Sequence, residues 1–70
     1  MNYHILTSGE EHVASTIHGE EAACLVAFLG EGAKICDCWF DVVWEEGQEE
    51  FSASESYDRV VEVITSREKV

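Results

Sequence analysis

Apolar and polar residues alternate most regularly between Lys34 and Trp44. The even positions Cys36, Cys38, Phe40, Val42 and Trp44 are all apolar, while the odd positions Ile35, Asp37, Trp39, Asp41 and Val43 include two acids. A repeat of two is that of a β-strand, whose side chains point alternately to opposite faces. The pattern predicts one long strand over 34–44, with Cys36, Cys38, Phe40 and Val42 buried. Asp37 and Asp41 then lie on a partly wet face. A helix over the same residues would put the acids one turn apart but scatter the aromatic rings around its girth.

The neighbouring segments are read against that strand. Residues 2–7 alternate Tyr3, Ile5 and Thr7 with His4 and Leu6, which predicts a first strand. Ser8 to Glu11 is a turn, and residues 12–18, β-branched at Val13, Thr16 and Ile17, predict a second strand. A capping box of Ser8 and Glu11, opening a short helix ended by Gly19, is the rival there. Residues 22–29 are apolar without a period. Glu20 and Glu21 in front suit a helix N-terminus, but Gly30-Glu31-Gly32 has hairpin length and predicts a strand paired with 34–44. Glu45 to Glu50 is a polar turn, and Phe51 and Ala53 could return as a short edge strand. Ser52 with Glu55, or Ser54, offers the N-cap of a helix in which Tyr57, Val60, Val61 and Ile64 form one stripe, with Glu55, Asp58 and Glu62 opposite. Acids at its start and Arg67 and Lys69 at its end match the helix dipole. The expected fold is a single α+β domain over 1–70: a small antiparallel sheet of three to five strands packed against a C-terminal helix.

Composition adds the charge. Fifteen Asp and Glu stand against four Lys and Arg in 70 residues, a formal net charge of -11, beside an apolar content of 46%. Seven aromatic residues supply enough apolar area for a folded chain. No apolar run exceeds eight residues, short of a membrane span. Met1-Asn2-Tyr3-His4 lacks the basic region of a signal peptide, so a cytoplasmic protein with reduced thiols is expected. Three cysteines cannot all pair internally.

Such a surface repels nucleic acid and anionic membrane and attracts basic proteins, whose encounters it steers. Residues 10–50 hold eleven acids and one base, Lys34. Four Glu pairs, 10–11, 20–21, 45–46 and 49–50, fall at expected turns or segment starts. Strand residues of equal parity lie ~7 Å apart, close to the spacing of phosphates along a nucleic-acid strand, so carboxylates so arrayed can take the place of phosphates in a basic groove. A solvated face that only keeps a small protein soluble, or one adapted to high salt, would carry the same charge. The expected partner-binding residues are Asp37, Trp39, Asp41, Glu45, Glu46, Glu49 and Glu50. Trp39 among acids suits an Arg- or Lys-rich surface through cation–π contact; a covering helix or a dimer mate would account for it equally.

The remaining chemistry is thin. Cys36-Asp37-Cys38 with Cys24, His4, His12 and His18 could hold a metal, but paired Cys-x-x-Cys knuckles are missing and both thiols share a face with Phe40 and Val42. Buried, they act as small hydrophobes, and no cofactor or metal is expected. No nucleophile elbow, phosphate loop or His-Glu-x-x-His occurs, so the expectation is that the chain is not an enzyme. In size and charge it resembles the small acidic inhibitors made by phages and mobile elements, anti-CRISPR proteins and DNA mimics among them. That resemblance covers no motif and carries over no residues. It implies a non-enzymatic inhibitor or adaptor that blocks a basic nucleic-acid-binding protein. The alternative is a small metal-binding or thiol protein built on Cys24, Cys36 and Cys38, and a third reading is a module that acts as a homodimer.

Overall fold

Tyr3 and Ile5 alternate with His4 and Leu6, and this short stretch is paired along both edges. The computed structural model describes residues 2–68. In chain order it contains β1 (Tyr3–Leu6), β2 (His12–Thr16), α1 (Gly19–Leu29), β3 (Lys34–Cys36), β4 (Val42–Glu45) and α2 (Ala53–Glu68). The strands form one sheet in the order β2-β1-β3-β4, and every neighbouring pair is antiparallel. This is the α+β class expected, with α1 as a second helix.

Parity divides the sheet into two faces. Ile5 lies opposite Ala14 in β2 and opposite Ile35 in β3, and Ile35 opposite Trp44 in β4. Directly paired residues share a face, so this row points one way. Tyr3, Ile5 and Ile35 meet Ala22, Ala23 and Val26 of α1 and Val60 and Ile64 of α2 in one buried cluster, against which Ala14 and Trp44 also pack. His4, Leu6, Ser15, Lys34, Cys36 and Val42 belong to the other face, which no helix among the described residues covers, although Cys36 is buried there.

Residues 22–29 are helical, which corrects the expected strand. Gly19, Ala22, Ala23 and Val26 recur at helical spacing and are buried. The outward residues Cys24, Ala27 and Phe28 are apolar as well, and Phe28 is 88% exposed, so the stripe left no period in the sequence. Gly30 is the helix C-cap and not part of a hairpin: with φ 87° its N–H donates to the carbonyl of Val26 at 2.9 Å. Small residues let α2 approach closely; a Cβ added at Gly19 would lie 3.5 Å from the Val61 Cα. In the following turn Gly32 has φ 90°, and a Cβ there would fall 2.7 Å from that of Ser8.

The single strand over 34–44 is also corrected. The chain reverses at 37–41, between β3 and β4, so Cys36 is buried but Cys38, Phe40 and Val42 are exposed. The pairing then skips a residue: Ile35 opposes Trp44 while Cys36 opposes Val42, leaving Val43 as a bulge. That slip turns Trp44 to the helix side and Val42 to the open face. Phe51 and Ala53 make no edge strand; Ala53 opens α2. The start of α2 is a capping box, as the sequence offers: Glu55 N–H donates to Ser52 Oγ at 3.2 Å and Ser52 N–H to Glu55 Oε1 at 3.3 Å. No helix among the described residues is long and apolar enough to cross a membrane.

Candidate functional site

Of the fifteen acids, Asp37 alone is buried. The cations among the described residues are engaged. Arg67 pairs with Asp37, Lys34 Nζ donates to the Gly32 carbonyl at 3.3 Å, and the Arg59 guanidinium lies 5.5 Å from the centre of the Phe51 ring. The fold therefore turns a chain-wide excess of acid into an outward one.

Asp37 is not on a wet face, and this corrects its expected place in the partner surface. It is 3% exposed, and its carboxylate organises the 37–41 turn. Oδ1 accepts from the N–H groups of Trp39 at 2.9 Å and Asp41 at 3.0 Å, and Oδ2 accepts from Arg67 Nη2 at 2.9 Å. One side chain thus satisfies the turn and ties it to the last turn of α2. Tyr3 lies buried nearby. Burial raises the pKa of its hydroxyl, and Glu68 adds to the rise. Cys36 is likewise pushed up, by burial first and then by the charge of Asp37.

The other expected partner residues divide between the two ends of β4. Trp39 and Asp41 stand exposed on the turn before it, with Trp39 71% exposed. Glu45, Glu46, Glu49 and Glu50 gather at its far end, about 14 Å away for four residues of strand. There Glu45 and Glu49, with Trp44 and Phe51, line a groove of about 120 Å³. Trp44 and Phe51 stack with centroids 6.2 Å apart, and Trp44 Nε1 donates to Glu46 Oε1 at 3.1 Å. A largely polar groove with two aromatic walls and carboxylates at its edge is a place for a long cationic side chain, its stem on the rings and its head among the acids. The strand-spaced row of carboxylates through Asp37 and Asp41 does not form, because those residues close a turn.

The open face of the sheet holds a cluster that sequence reasoning did not assemble. His4 Nδ1 lies 3.2 Å from His12 Nε2 and 3.0 Å from Ser15 Oγ, and His12 Nε2 lies 2.9 Å from the same oxygen. The Phe40 ring, at φ 62°, stacks on His4 at 4.4 Å and 7°. His4 faces Ser15 across the β1–β2 pair, but His12 and Ser15 are three apart on one strand and in regular pairing would point to opposite faces. The register slips between Ile5 and Leu6, Val13 becomes the extra residue, and His12 is turned to the side of Ser15. This is not the relay of a hydrolytic triad, in which the base uses one nitrogen for the nucleophile and the other for its orienting partner. Here both imidazoles reach Ser15, and His12 uses one nitrogen for both contacts.

The cysteines are dispersed. Cys36 is buried in β3, whereas Cys24 on α1 and Cys38 in the 37–41 turn are exposed. Among the described residues no three side chains of the Cys, His, Asp and Glu types come together as metal ligands. The chain matches no family model, no curated protein and no solved structure.

Proposed function

We propose that this domain is a non-enzymatic acidic inhibitor or adaptor that occupies the nucleic-acid site of a basic protein. One observation carries the reading: all the acids but one face outward, while the described cations are engaged within the fold. The contact surface is centred on the groove lined by Glu45 and Glu49, with Glu46 and Glu50 beside them in the chain and Trp39 and Asp41 as a second contact beyond β4. Asp37 serves this surface only by shaping the turn that presents Trp39. Carboxylates at such density displace phosphates from lysines and arginines by the same charge pairing, so the complex shares the salt dependence of nucleic-acid binding. In size and charge the chain resembles phage and mobile-element inhibitors of the anti-CRISPR kind, and that resemblance supports the reading.

The test is capture from lysate of the source cells on immobilised protein, with competing duplex DNA or RNA and with a Glu45→Lys/Glu49→Lys variant as control. Support is a basic nucleic-acid-binding protein retained by the native chain, displaced by nucleic acid and lost with the variant. Retention that neither nucleic acid nor the variant alters contradicts the proposal.

A further inference from the structure

We infer that His4, His12 and Ser15 form a binding site for one divalent transition-metal ion of the zinc–copper–nickel class on the open face of the sheet. Three polar atoms make a nearly equilateral triangle with edges of 2.9, 3.0 and 3.2 Å. Two hydrogen bonds through the Ser15 hydroxyl pair all three groups and leave the nitrogen–nitrogen edge unbonded. An imidazole nitrogen either carries a proton and donates, or lacks one and accepts, and only the hydroxyl can do both. At most two edges can then be two-centre hydrogen bonds, and the nitrogen–nitrogen edge competes with the bonds to Ser15. A cation above the triangle engages a lone pair from all three atoms at once. The size agrees: zinc binds imidazole nitrogen at ~2.0–2.1 Å, which puts two ligands of a tetrahedral ion about 3.3 Å apart. His4 and His12 stand at 3.2 Å.

The surroundings hold this arrangement in place. The bulge at Val13 brings His12 onto the face of Ser15, and bulges commonly re-aim a side chain next to a site. The flat stack with Phe40 fixes the His4 ring from the β3–β4 turn. Two imidazoles are the main donors, the serine hydroxyl is a weaker third, and solvent completes the shell. Imidazole donors favour zinc, copper and nickel over calcium and magnesium, which prefer oxygen. The ion joins β1 to β2 and is not needed to build the core on the opposite face.

The experiment is titration of the native protein with Zn²⁺ in excess Ca²⁺, which saturates the surface carboxylates. It is read by calorimetry and by nuclear magnetic resonance of the three histidine rings. One equivalent of Zn²⁺ should saturate the site and shift the His4 and His12 rings, leaving His18 unmoved. Loss of an outer-shell partner alone costs roughly 10–100-fold in affinity, so loss of a direct donor in His12→Gln should weaken binding by at least about tenfold, and His18→Gln should leave it unchanged. The ring signals of the native protein decide the matter even where a variant folds poorly. Unmoved His4 and His12 rings, binding abolished by Ca²⁺, or full affinity in a folded His12→Gln variant would overturn the inference.

Discussion

The two faces of the sheet are built from alternate residues of the same strands, yet they do different things. On the helix side Tyr3, Ile5 and Ile35 are sealed by Ala22, Ala23, Val26, Val60 and Ile64. On the open side His4, His12, Ser15 and Phe40 form a polar and aromatic cluster, with Val42 exposed beside it. One face supplies stability by removing apolar area from water. The other, with its bulge at Val13 and a left-handed Phe40, keeps features that core packing does not require. The contrast teaches that strand parity assigns a residue to a face only between irregularities, and that each bulge or turn resets the assignment.

Truncation is the strongest way to break this comparison. Ile35→Ala removes a fully buried side chain from the middle of the cluster and should cost about 3–4 kcal/mol, much of the stability of so small a domain. Val42→Ala or Phe40→Ala on the open face should cost less than about 1 kcal/mol. Urea unfolding of the three variants gives the ranking, and a cost at Phe40 equal to that at Ile35 would show that the open face is a second core.

Asp37→Ala should come next, at about 2–3 kcal/mol, because it leaves two turn N–H groups and Arg67 without their acceptor. Its signature is local as well. Backbone amide exchange should quicken at Trp39 and Asp41 before it quickens in β1. Uniform exchange throughout would mean that the carboxylate supports the whole fold and not mainly the turn.

The smallest expected effect is on pH dependence. Tyr3 and Cys36 have folded-state pKa values raised above their ordinary 10.0 and 9.0. The folded chain therefore holds these protons more tightly than the unfolded chain. The stability they add is complete below pH 9 and is lost as pH rises through the raised values. Denaturation midpoints should be level in neutral buffer and decline above pH 9, and Cys36→Ser should flatten the first part of the decline. A midpoint that climbs with pH in that range would reverse the assignment.

The sequence revealed those elements whose patterns were unbroken. The stripe of Tyr57, Val60, Val61 and Ile64, with Ser52 and Glu55 as its cap, is legible because a polar face opposes an apolar one. The β1–β2 hairpin is legible through alternation and β-branching. Over residues 22–29 of α1 the exposed Cys24, Ala27 and Phe28 are as apolar as the buried side, so the period vanished there. Over 34–44 the alternation runs on through a turn that exposes Cys38 and Phe40, and nothing in the residue types marks the reversal except Asp37, whose role as a turn acceptor resembles that of any surface acid. Of the candidate site, the acids at 45–50 were visible as a charge run, but their groove depends on Trp44 and Phe51 meeting. The His4–His12–Ser15 triangle depends on a one-residue slip that only the register shows.

On the proposed function, the inward face holds the fold while the outward acids bind a partner. The most direct measurement is the affinity of the captured partner for the native chain and for two charge-reversed variants across a series of salt concentrations. One variant is reversed at Asp41, Glu45, Glu46 and Glu49, the other at Glu55, Asp58 and Glu62 on α2. Both should keep the native circular dichroism spectrum. Affinity for the native chain should fall linearly on a logarithmic scale with added salt. The first variant should lose most of that affinity and flatten the slope, and the second, near Arg59, should lose much less. Equal affinity and equal slope for all three folded proteins would contradict the proposed function and leave the charge with a solubilising role alone.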